Sequence, residues 1–116
     1  MSPTLRQCSP MIPSENPGLT KAVFTDLLDF ELRMDGEYAI VAKDGFAIHL
    51  VPAEDECTEM SCYLETDDLD AIWAKLEPES DLLEMRPPFD RPYGMREIHV
   101  IVPGTAALLF IGQPTG

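Results

Sequence analysis

Near the end of the chain Glu97 and His99 stand two residues apart, in a run where polar and apolar side chains alternate: Arg96, Glu97, Ile98, His99, Val100, Ile101. On a strand that spacing puts Glu97 and His99 on one face and Ile98 and Val100 on the other. Carboxylates and imidazoles can do acid–base work. Nothing in the spacing, however, sets a base against a nucleophile. Pro92 and Gly94 punctuate the loop ahead of this strand; Pro103, Gly104 and Thr105 make a turn after it, and Ala106 to Ile111 closes a hairpin. One side of the hairpin is therefore apolar and the other carries titratable groups.

Other reaction types lack their residues. The chain has no GxSxG, no HExxH and no phosphate-cradling glycine loop. Cys8, Cys57 and Cys62 form no CxxC or zinc-finger spacing. Their odd number, with no secretory leader in the sequence, leads us to expect a reducing cytoplasm. A net charge of −13 over 116 residues argues against nucleic acid, whose phosphates are bound by Lys and Arg. The same charge suits solubility and would draw in a cationic ligand. No apolar run approaches the roughly 20 residues that cross a bilayer, so no membrane partner is expected.

The elements that hold these residues follow in order along the chain. Cys8 to Ser14 reads as a strand, placed at an edge because Pro10 and Pro13 cannot donate to a ladder. Asn16 and Pro17 open a helix that runs to about Leu28, with Leu19, Val23 and Leu27 on one stripe. Strands Phe30 to Met34, Glu37 to Ala42 and Phe46 to Val51 follow, separated by Asp35-Gly36 and Asp44-Gly45 turns. Residues 52–59 are acidic and aperiodic, a linker. The order then repeats: strand Met60 to Thr66, a helix capped by Asp67 or Asp68 with Leu69, Ile72, Trp73 and Leu76 on its core stripe, strand Leu82 to Met85, and the hairpin. We expect a single α+β domain, 1–116, of two tandem βαβββ units, 8–51 and 60–113. Each unit has one helix for one sheet face, so two sheets set side by side would enclose a trough.

This pattern resembles the vicinal oxygen chelate (glyoxalase, bleomycin-resistance and dioxygenase) superfamily, and most of all its bleomycin-resistance proteins. The resemblance is carried by SCYLETDDLDAIWAKL, by RPYGMREIHVIVPGTAALLFIG, and most sharply by Pro92-Tyr93-Gly94-Met95-Arg96-Glu97. Asp29 stands where glycine is common, and Val102-Pro103-Gly104-Thr105 replaces the frequent Asp-Pro-Asp-Gly. The resemblance implies a curved mixed sheet around a trough, and four strand positions from which the superfamily's enzymes hold a metal ion. Counting along the chain puts Ser9, His49, Ser61 and Leu109 there. Serine and leucine are not ligands for a divalent ion, and one histidine does not make a site. We therefore expect no metal and no cofactor.

If those positions face inward, alternation adds Met11, Ala47, Tyr63, Glu65 and Ala107 to the lining, and the penultimate strand adds Glu97 and His99. Phe89, Asp90 and Tyr93 lie on a loop at the rim. The candidate ligand-binding set is thus His49, Ser61, Tyr63, Glu65, Phe89, Asp90, Tyr93, Glu97 and His99. Aromatic rings stack on planar ligands and carboxylates attract amines. The resemblance then implies a metal-free protein that sequesters a cationic, aromatic antibiotic of the bleomycin type. It also implies a homodimer that can exchange its N-terminal strand. Two alternatives stay open: a metal-dependent lyase, isomerase or dioxygenase with an atypical site, and a binder of an unrelated metabolite.

Overall fold

The computed structural model describes residues 2–116. Its elements are β1 (Met11–Ser14), α1 (Pro17–Ala22), β2 (Glu31–Met34), β3 (Ala39–Lys43), β4 (Phe46–Pro52), β5 (Met60–Glu65), α2 (Leu69–Leu76), β6 (Met85–Asp90), β7 (Met95–Ile101) and β8 (Ala107–Pro114). Asn16 Oδ1 accepts from the Leu19 amide and Pro17 opens α1, as its sequence requires. After Ala22 the helix widens into a π turn, Val23–Leu27. Asp68 caps α2 by accepting from the Ala71 amide at 3.1 Å.

The strands form two four-stranded sheets of identical order, β1-β4-β3-β2 and β5-β8-β7-β6. In each, the first strand runs parallel to its neighbour and the remaining pairs are antiparallel. This is the tandem arrangement the sequence suggested. The sheets are separate hydrogen-bonded units, with no strand pair between them among the described residues. What joins them is a common core. Ile12, Phe24, Val41, Ile48 and Leu50 from the first half pack in one cluster with Leu69, Leu76, Ile98, Leu109 and Ile111 from the second. The β7–β8 turn also docks on the start of α1. Glu15 donates its amide to the Gly104 carbonyl at 2.7 Å, and Thr20 its hydroxyl to Pro103 at 2.7 Å. A Cβ on Gly104 would meet Asn16 at 3.1 Å.

Four readings of the sequence are corrected. β1 begins at Met11, not Cys8. The strand expected at Leu82 to Met85 lies at Met85–Asp90 instead. A short 3-10 turn, Glu77–Glu79, extends α2, and the amides of Leu82 and Leu83 both bond the Glu79 carbonyl. Pro87 and Pro88 are tolerated because β6 is an edge strand whose pairing slips between Arg86 and Phe89. Phe89 and Asp90 are therefore strand residues, not loop residues. Finally, Leu109 and Ala107 face the core, fully buried, so the opposite face of β8 carries Leu108, Phe110 and Gly112.

Candidate ligand-binding site

Ladder register decides which side chains meet on the polar face of the second sheet. Tyr63 pairs with Phe110, Phe110 with His99, and His99 with Arg86, giving one row across four strands. The next row is Glu65, Gly112, Glu97 and Phe89. All of these residues alternate with the core positions and so share one face. The rings pack along it: Tyr63 lies stacked against Phe110 with centroids 6.2 Å apart, and His99 sits 4.3 Å from Phe110 and 4.8 Å from Phe89. The Arg86 guanidinium covers the Phe89 ring at 3.5 Å.

Glu97 is the hub of this face. It is fully buried, a position a carboxylate occupies only when its oxygens are satisfied. Oε2 accepts from Tyr63 Oη at 2.8 Å and from Tyr93 Oη at 2.5 Å. Oε1 accepts from His99 Nε2 at 2.8 Å, and Arg91 Nε lies 4.0 Å away. Burial acts to raise the Glu97 pKa, but the hydrogen bonds from Tyr93, His99 and Tyr63 together outweigh it and hold the carboxyl below its usual range. Tyr63 shifts the other way. The residue is 46% exposed, and partial desolvation of its hydroxyl, with the bond to Glu97, pushes its pKa up to about 12.

The remaining candidate residues lie on the first sheet or toward the margins of this face. His49 is on the first sheet, where Nδ1 bonds Tyr38 Oη at 2.6 Å. Beside it a groove of roughly 450 Å³ runs between Met11, Tyr38, Val51 and the acidic stretch Glu54–Glu56. Ser61 lines a separate groove of roughly 560 Å³ with Ile101, Leu108 and Phe110. Glu65 borders a third hollow with Phe30, Phe46 and Leu64. Asp90 is held by Arg96 at 3.1 Å. Tyr63, Glu65, Phe89, Glu97 and His99 thus share one face, with Tyr93 bonded to Glu97 from the loop and Ser61 one row beyond Tyr63, while His49 and Asp90 stand apart. The polar faces of the two sheets carry separate grooves. The hollow beside Glu65 is lined from both halves, by Phe30 and Phe46 of the first unit and by Leu64 and Ile111 of the second.

The metal positions implied by the resemblance do not fit an ion. His49 has its Nδ1 bonded to Tyr38, its ladder partners are Met11 and Ile40, and Leu109 is turned into the core. Among the described residues no three His, Cys, Asp or Glu side chains are gathered. Sequence reasoning missed Phe110, Gly112, Tyr38, Arg86 and Arg91. Alternation along β7 pointed to Glu97 and His99, but nothing within β8 said which of its apolar residues faced them.

With this geometry the chain has the fold of the vicinal oxygen chelate proteins. No protein-family model and no curated protein matches the sequence; the likeness is structural. The bleomycin-resistance determinant encoded on the transposon Tn5 superposes with a TM-score of 0.75 at 20% identity, over 93% of this chain and 97% of that one. The bleomycin-binding protein of Streptomyces verticillus, solved with copper(II)-bleomycin, gives 0.73 at 21% identity, over 100% and 99%. A lactoylglutathione lyase from Agrobacterium tumefaciens gives 0.75 at 12% identity, over 97% and 95%. The fold thus carries both binding proteins and enzymes.

Proposed function

We propose that this protein binds a flat, amine-bearing aromatic molecule, an antibiotic of the bleomycin type, and removes it from solution stoichiometrically without metal. One observation carries the reading: on the polar face of the second sheet Tyr63, Phe110 and His99 lie side by side in one ladder row, Phe89 packs on His99 from the next, and the carboxylate of Glu97 is sealed among them. Ring faces hold planar ligands by stacking, and no bond need change. The overall charge of −13 favours approach of a cation, and the acidic groove beside Tyr38 supplies carboxylates for it. The likeness to two bleomycin-binding structures supports the same ligand class.

Each polar face is an open half-site in the single chain, which supports a homodimer in which the first sheet of one chain covers the second sheet of another. Strand exchange is compatible with β1, a four-residue edge strand reached by an exposed arm. Isothermal calorimetry with metal-free bleomycin at about 50 μM protein tests the ligand, since a micromolar Kd corresponds to about −8 kcal/mol and gives readable heat. We expect one molecule bound per chain. No heat removes bleomycin as the ligand. Sedimentation at the same concentration tests the dimer.

A further inference from the structure

We infer that Glu97 sorts the protons of this face so that it meets its ligand with acceptors, and that the ligand is a flat heteroaromatic presenting N–H groups. The inference rests on the second sheet's face being the ligand floor, and it names the chemistry that floor selects.

An ionised carboxylate can only accept hydrogen bonds. Glu97 is sealed from solvent, so every hydrogen it receives comes from the protein, and each of its partners must aim a proton inward. Tyr63 and Tyr93 both spend their single O–H on Oε2. His99 spends Nε2–H on Oε1, and in the neutral ring Nδ1 is then an acceptor. The outward groups follow. Tyr63 Oη keeps only lone pairs. Tyr93 Oη is partly engaged, receiving Arg91 Nε at 3.3 Å. His99 Nδ1 has no hydrogen-bond partner among the described residues and is not sealed.

Register sets the two residues that carry the free acceptors on either side of one ring. Tyr63 on β5 and His99 on β7 both pair with Phe110 on the strand between them. His99 therefore flanks a ring lying on Phe110, while the Tyr63 oxygen, carried over Gly112 to Glu97, stands at the end of that ring toward the next ladder row. The neighbouring guanidiniums are set to one side, Arg86 at 3.5 Å and Arg91 at 5.2 Å from the Phe89 ring near the sheet edge. A site of this kind discriminates by hydrogen-bond polarity. A ligand that supplies N–H is satisfied, whereas one offering another acceptor leaves lone pairs facing lone pairs, a mismatch that costs about tenfold in affinity per contact.

The test uses the full chain, isotopically labelled, and two near-isosteric probes, indole and benzofuran, which differ in N–H against O. Indole is expected to shift the resonances of Tyr63, His99 and Phe110 and to bind about tenfold more tightly than benzofuran. In Glu97→Gln the carboxamide brings its own N–H₂, so one phenol or the imidazole must turn a proton outward. The preference for indole is then expected to fall to about twofold or less. Tyr63→Phe deletes one acceptor without disturbing the buried carboxylate's other donors, and is expected to bring indole toward benzofuran's level. Equal binding of the two probes to the unsubstituted protein overturns proton sorting and leaves the aromatic floor standing. Failure of either probe to shift any residue of that face overturns the floor itself.

Discussion

Tyr63 and Glu97 stand on strands that are not neighbours, yet Tyr63 Oη lies 2.8 Å from Glu97 Oε2. The phenol crosses β8 above Gly112, where an added Cβ would lie 2.1 Å from Tyr63 Oη and 2.9 Å from Cζ. Gly112→Ala must therefore push the ring away, because the methyl is fixed to backbone and only the tyrosine can move. The Tyr63 pKa is expected to drop from about 12 toward the ordinary value near 10. Ultraviolet absorbance against pH reads this directly, and an unchanged titration contradicts the arrangement.

Deleting the hub is costlier than deleting a spoke. Glu97→Ala leaves Tyr63, Tyr93 and His99 without an acceptor and opens space in a sealed position. We expect a loss of about 3 kcal/mol in urea unfolding, against about 1 kcal/mol for Tyr93→Phe, which removes a single donor at the exposed rim.

Stability should be highest between mild acid and moderate base. The Glu97 pKa is depressed in the folded state, so its contribution is present above the unfolded carboxyl's value of about 4.3 and is lost as pH falls through the lower, folded value. The Tyr63 pKa is raised, so its contribution is present below about 10 and is lost as pH climbs toward 12. Melting temperature against pH checks both limbs. In Glu97→Gln the acid limb should flatten.

Asp29 adopts φ 60°, a conformation that strains a residue with a Cβ and that glycine adopts freely. Its carboxylate pairs with Lys75, but both side chains are largely exposed, where such pairs contribute little. Asp29→Gly should therefore raise stability by about 0.5 kcal/mol, or about 3 °C in Tm. A lower Tm would mean that the ion pair outweighs the strain.

Phe110→Ala separates ligand binding from folding. The ring lies on the open face, packed on Tyr63 and His99 and away from the core cluster. Loss of a stacking surface should weaken an aromatic ligand about tenfold, with the melting temperature lowered by only a few degrees. Calorimetry and a thermal scan on the same sample distinguish the two effects.

The elements and their tandem order were legible because their signals are local: Asn16-Pro17, the Asp-Gly turns, and the stripe Leu69, Ile72, Trp73, Leu76. The polar face of β7 was legible for the same reason, since Glu97 and His99 alternate with Ile98 and Val100. β8 was not. Its run Ala106 to Ile111 is apolar on both sides, so alternation cannot say which face is which, and a slip of one residue exchanges them all. Counting along the chain favoured Leu109; the pairing of Tyr63 with Phe110 places Leu109 in the core. Gly112 carries no side-chain signal at all, and its role appears only when Tyr63 is seen lying across it.

The alternation of β5, β7 and β8 has a bearing on how such a protein changes over time. Ser61, Leu108 and Ile101 sit in the row beyond Tyr63 and Phe110, outside both the central cluster and the carboxylate's bonding circle. Substitutions in that strip should carry little penalty to folding, so if the face holds a ligand as proposed, the guest can change at this margin with the bonds to Glu97 intact.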